Sequence, residues 1–236
     1  MSSPDAPAPM TADVPETETR DFMPYVAPMF AYVALSSLEG YLPSTGWYPA
    51  AYAVKAAIVA AIMWHYRSTW RDLRPMPGVL DLVLAVATGL VVVAMWVGLD
   101  GLYPDLPFMG GARQAFDPNE LGTGGKWAFI GVRMIGLVLL VPVFEELFWR
   151  SFLIRFVIDQ EFWKVPIGQV TWMSAGVVSA LFALAHPEWL PALQTGLLWA
   201  WLLWYTRSVS ACVVSHVVAN LALGIYVVAT GAWKFW

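Results

Sequence analysis

The sequence predicts an all-α protein, a polytopic bundle of transmembrane helices with about seven spans and room for an eighth. Three observations carry this expectation. Of 236 residues, 59% are hydrophobic and 13% charged, more apolar surface than a soluble globule of that length can hide, because a small fold leaves a large share of its surface in water. The apolar residues also gather into runs close to the roughly 20 residues that a membrane helix needs. Most of the 14 tryptophans stand near the ends of those runs (Trp47, Trp64, Trp70, Trp96, Trp127, Trp163, Trp189, Trp204, Trp233), where an interfacial aromatic belt is expected.

Taken in order, residues 1–21 are rich in Pro, Ala, Thr and acid and read as a disordered tail. They lack the positive amino-terminal region of a secretory signal, so the first apolar run is expected to stay as an anchor. Residues 22–236 then form a single transmembrane helical domain. Spans are expected near 23–43, 47–66, 78–99, 127–149, 168–186, 190–206 and 208–231. A segment in lipid must satisfy its own backbone, and runs of this length do so as helices.

Lysine and arginine set the orientation. With the tail in the cytoplasm, Arg20, Arg67, Arg71, Arg74, Arg150, Arg155, Lys164 and Arg207 fall inside, while Arg113, Lys126 and Lys234 fall outside. Lys55 and Arg133 lie within spans. The acidic 100–126 loop suits the outer side. The expected placement is a multi-pass protein of the bacterial inner (cytoplasmic) membrane, with its amino terminus cytoplasmic and its carboxyl terminus outside.

Some function classes are excluded early. A net charge of −4 with no basic stripe argues against a nucleic-acid partner. Cys212 is the single cysteine and sits in an apolar run, so there is no disulfide framework and no thiolate metal site. His65 reads as an interfacial residue.

The remaining ionisable groups stand in apolar runs, where they are expensive and therefore functional candidates. In Phe144-Glu145-Glu146-Leu147-Phe148-Trp149-Arg150, Glu146 and Arg150 are neighbours one helical turn apart, acid before base. Glu145 points about 100° away. Phe148 and Trp149 occupy the positions one turn beyond it. Either both acids share Arg150 as an ion-pair lock, or Glu145 is a carboxyl in a dry place, suited to a general base. Phe182 and His186 share a helix face just before Pro187, and the histidine is either a hydrogen-bonded structural residue or part of a site. His216 and Asn220 are again one turn apart on the last span. They could donate to an oxyanion or act as interhelical glue. If the three clusters converge, they supply a base, a water-orienting group and an oxyanion site, the components for splitting an acyl bond with water.

The three clusters resemble the intramembrane protease family that includes the CAAX-processing endopeptidase, often called the CPBP family. Its pattern is Glu-Glu-x-x-x-Arg, then Phe-x-x-x-His, then His-x-x-x-Asn, matched here by Glu145, Glu146 and Arg150; Phe182 and His186; and His216 and Asn220. The matching region runs from about 144 to 220. One departure is Ser151, where the family commonly has glycine. The amino-terminal half also resembles a bacterial subgroup associated with exosortase-type protein sorting. The resemblance implies hydrolysis of a peptide bond in a membrane-anchored or lipid-modified protein. Glu145 and His186 would activate water, His216 and Asn220 would hold the oxyanion, and Glu146, Arg150 and Phe182 would support them. No cofactor is preferred. A divalent metal such as zinc on Glu145, His186 and His216 is the alternative, since two imidazoles and a carboxylate leave one open position. The rival functions are an ion- or proton-coupled transporter, which would usually show repeats that are not seen here, and a non-catalytic sorting or chaperone partner.

These spans place Glu145 near the inner face and His186 at the outer end of its helix, too far apart to meet. Either the fourth helix begins later and runs on past Arg155, where 151–158 is apolar enough to extend it, or the fifth is displaced or broken near Pro187. The former is expected. A reporter fused after Trp236 is expected to give an extracytoplasmic signal, and a cytoplasmic signal would overturn the orientation.

Overall fold

The computed structural model describes residues 21–39, 46–104, 106 and 116–236, and among these every regular element is helical. The tail expected to be disordered lies outside the described residues, Asp21 excepted, as does much of the 100–126 loop. We label the helices α1 (Met23–Glu39), α2 (Tyr48–His65), α3 (Val79–Gly98), α4 (Pro118–Ile158), α5 (Trp172–Leu184), α6 (Trp189–Thr206) and α7 (Val209–Thr230). Each apolar run read from the sequence corresponds to one of them. By length and composition, α3, α4 and α7 are able to cross a membrane. The protein is an integral membrane protein, and its outer surface fits that solvent: Phe30, Leu80, Val83, Leu90, Ile135, Leu139, Leu184 and Ile225 all point outward, a girdle that a water-soluble chain would not leave uncovered.

Helix ends follow from local chemistry. The Asp21 carboxylate accepts the Met23 amide at 2.8 Å at the start of α1. Thr171 and Ser174 form a reciprocal capping box at the start of α5. Ser208 caps α7, and Arg207, in the left-handed region at φ 53°, turns the chain from α6 into α7. The Arg207 guanidinium secures that turn by donating to the Gly168 carbonyl at 2.7 Å.

The helices pack in pairs, α1 on α2, α3 on α7 and α5 on α6, while α4 runs through the bundle touching α1, α2, α5 and α7. The α3–α7 approach is close because position 89 has no side chain. A Cβ on Gly89 would collide with the Ser215 carbonyl and come within 2.9 Å of Val218 Cβ.

Ionic contacts define two ends. At one, Asp72 follows α2 and collects three donors on a single oxygen: Tyr25 Oη at 2.7 Å, Ser151 Oγ at 2.5 Å and Arg155 Nη2 at 2.9 Å. Ser151, the departure from the family pattern, thus contributes a hydroxyl that ties α4 to the segment after α2. At the other end Lys234, after α7, pairs with Asp100, after α3. Lys55 and Arg133, which the sequence places within spans, find partners there. Lys55 pairs with Glu39 at 2.5 Å. Arg133 donates to Tyr48 Oη at 2.7 Å and lies over the Tyr52 and Trp236 rings.

Replacing Asp72 leaves Arg155 as a buried cation without its carboxylate. Asp72→Ala is expected to cost about 3–5 kcal/mol, measured as loss of unfolding free energy in detergent.

Candidate active site

The site begins with a proline. Pro142 has no amide hydrogen, and just ahead of it α4 widens into a π-helical turn, Gly136–Leu140, in which the Val141 amide reaches back five residues to the Gly136 carbonyl. The Leu137 carbonyl therefore loses both main-chain donors within reach, because Val141 is engaged and Pro142 has nothing to donate. Asn220 on α7 fills the gap, its Nδ2 donating to Leu137 O at 2.8 Å. Gly136 makes room for the widening, since a Cβ there would collide with the Tyr52 hydroxyl. A second π-helical stretch, Leu147–Leu153, ends with the Ile154 amide on Trp149 O. Between them the short α-helical piece Val141–Glu146 carries both glutamates at its end. Such widened turns recur at functional sites.

Glu146 is fully buried and has a partner for each oxygen. Oε2 is 3.2 Å from Arg150 Nε, and Oε1 accepts from His216 Nδ1 at 2.9 Å. The Arg150 guanidinium carbon lies 4.9 Å from the ring centres of both Phe182 and Trp199, a cation held between aromatic faces. Trp199 also stacks at 4.4 Å on His216, and its indole N–H donates to Ser215 Oγ at 2.9 Å. The Glu146–Arg150 pair one helical turn apart is present, and the contact network reaches across to α7 as well.

His186 stands two residues past the end of α5. Its Nδ1 donates to Phe182 O at 2.8 Å, which leaves Nε2 as the lone-pair nitrogen of the neutral ring. The Phe182 ring lies 4.4 Å away, and Trp96 meets the imidazole edge-on at 5.8 Å.

Glu145, His186, His216 and Asn220 line one cavity of about 180 Å³, together with Phe182, Trp199, Thr195 and Glu188. The separation implied by the expected spans is removed from both sides. α4 runs past Arg155 to Ile158, as expected, although it begins earlier and not later than the sequence suggested. Glu145 is then 13 residues, about 20 Å, from its carboxyl-terminal end. α5 starts at Trp172 and stops at Leu184, 13 residues and again about 20 Å. The break near Pro187 is therefore also present, and Glu145 and His186 line the same cavity.

Sequence reasoning did not single out Trp199, Glu188 or Pro142. Of these only Pro142 had a local signal, a proline three residues ahead of Glu145 inside an apolar run. Among the described residues no three His, Cys, Asp or Glu side chains are grouped so as to hold a metal ion. Glu145, His186 and His216 share a wall without forming such a set.

Residues 127–222 match the Rce1-like family model. That model describes the type II CAAX prenyl endopeptidase Rce1-like proteins, and the Rce1-like segment contains every motif residue named above. The match agrees with the resemblance read from the motifs and supports an intramembrane protease. No curated protein and no solved structure matches the chain.

Pro142→Ala restores an amide to α4 and removes the reason for the widened turn. The variant is expected to fold with unchanged or higher melting temperature while turnover falls about 10²-fold, because small displacements of reacting groups cost that much. Parallel melting and peptide-cleavage assays check it.

Proposed function

We propose that this chain is an endopeptidase that hydrolyses a peptide bond within the membrane, in a membrane-anchored or lipid-modified protein, by glutamate-activated water. The observation that carries the reading is the shared cavity: a carboxylate, two imidazoles and a carboxamide, drawn from α4, α7 and the α5–α6 break, face one space of about 180 Å³. A base, a second water ligand and an oxyanion site are what acyl hydrolysis needs.

Glu145 takes a proton from water as the oxygen adds to the scissile carbonyl carbon. His186 Nε2, left as an acceptor by the bond from Nδ1 to Phe182 O, orients the same water. The tetrahedral oxyanion lies against His216 and Asn220. Asn220 donates one amide hydrogen to Leu137 and keeps the other for the oxyanion. The His216 ring that faces it is held in place by its Nδ1 hydrogen bond to Glu146. Glu145 then returns the proton to the amine nitrogen as the C–N bond breaks, giving a carboxylic acid and an amine. The reading is metal-free, because a glutamate bound to a metal is not also a free base.

The substrate is an anchored tail whose scissile bond can reach a cavity inside the bundle, whether a CAAX-type prenylated end or the anchor of an exported protein. The test compares wild type with Glu145→Gln and His186→Ala on both classes of peptide in detergent. Both variants are expected to melt like wild type and to lose about 10²–10⁴-fold in turnover, and a chelator is expected to leave wild-type turnover intact. Cleavage that survives both substitutions would sink the assignment, and cleavage lost to the chelator and restored by zinc would replace the mechanism.

A further inference from the structure

The cavity wall carries one carboxylate that this chemistry does not use. Glu188 closes the break between α5 and α6, half-buried, two residues after His186. It stands at the first turn of α6 without capping it, and among the described residues no side chain hydrogen-bonds or ion-pairs with its carboxylate. Among the described residues no lysine or arginine lines the cavity. The buried cations Arg150, Lys55 and Arg133 are, among the described residues, committed elsewhere, to Glu146, to Glu39 and to an aromatic cage. The break itself is held in place from outside the cavity: Trp189 Nε1 donates to Pro104 O at 2.9 Å, and Tyr103 packs edge-on against the Trp189 ring. Glu188 is thus a carboxylate in a mostly apolar chamber whose described wall offers it no compensating cation.

We propose that Glu188 is a specificity residue that receives a basic side chain, lysine or arginine, placed close to the scissile bond of the substrate. The inference rests on the cavity being the substrate site and adds the substrate's charge. A partly desolvated carboxylate gains most from a charged donor brought by the ligand, because hydrogen bonds between opposite charges are the strong ones. A neutral segment would cover that half-buried carboxylate without giving it a partner. An acidic residue would be repelled, so the same group discriminates by attraction and by exclusion.

The experiment measures binding, so that it does not depend on turnover. Fluorescent peptides with an apolar anchor of about 20 residues carry Lys, Gln or Glu in turn at each position along the segment that reaches the cavity. Their affinities are measured for wild type, Glu188→Gln and Glu188→Lys in nanodiscs, after melting confirms that each variant is folded. At one or two positions Lys is expected to bind about five- to tenfold tighter than Gln, and Glu more weakly than either. The Lys advantage disappears in Glu188→Gln and reverses toward Glu in Glu188→Lys. Equal affinities at every position in wild type overturn the proposal even if the peptides are cleaved. A Lys preference that survives Glu188→Gln overturns it also, since some other group then reads the charge. The expected binding pattern without cleavage leaves the specificity residue standing and counts against proteolysis alone.

Discussion

Burying a carboxylate where no water reaches costs several kcal/mol unless its charge is met on the spot, and Glu146 is such a carboxylate. Its two oxygens are answered by Arg150 from the next turn of α4 and by His216 from α7, and the guanidinium is in turn enclosed by Phe182 of α5 and Trp199 of α6. Four helices are therefore registered to one charge. Removing either partner strands a charge, so the set tolerates only small displacements. The neighbouring Glu145 inherits that rigidity, because the two glutamates are consecutive on the same short helical piece.

The second constraint is the flaw in α4. A regular helix would satisfy Leu137 from within and give Asn220 nothing to hold. Pro142 breaks that economy, and the resulting acceptor draws a polar side chain from α7 into the bundle. The two cross-links from α7, one through His216 and one through Asn220, lie a turn apart and straddle the space in front of Glu145. Packing keeps them there: α7 meets α3 at near-backbone contact, and α4 is stapled to the segment after α2 by Asp72.

Helical class and the site candidates were legible because lipid makes polarity conspicuous. Glu145, Glu146, His186, His216 and Asn220 each stand in apolar sequence, where a polar group needs a reason. Helix length was less legible. Hydropathy places the start of α4 at 127, nine residues late, because 118–126 (PNELGTGGK) is polar and glycine-rich yet helical. The end of α5 at Leu184 was hidden likewise, since Ala185 continues the apolar run. Long-range pairing was not legible at all. Glu146 and Arg150 look self-sufficient along one helix, and nothing local shows that an imidazole 70 residues on takes the second oxygen. Trp199 was lost among many tryptophans, most of which have interfacial reasons to exist.

Gly89 belongs to α3, outside the Rce1-like segment, yet it is the point where α7 rests, next to His216. The stretch that carries the family motifs is therefore not a minimal enzyme. Cut free at its matched boundaries, it would lose the surface that sets the height of His216, together with Met29, Val92 and Trp96 from the cavity wall. The amino-terminal half is the jig in which the motifs are aligned, and a change there as small as one methyl group would be felt at the cavity wall before anything in the motifs had been altered.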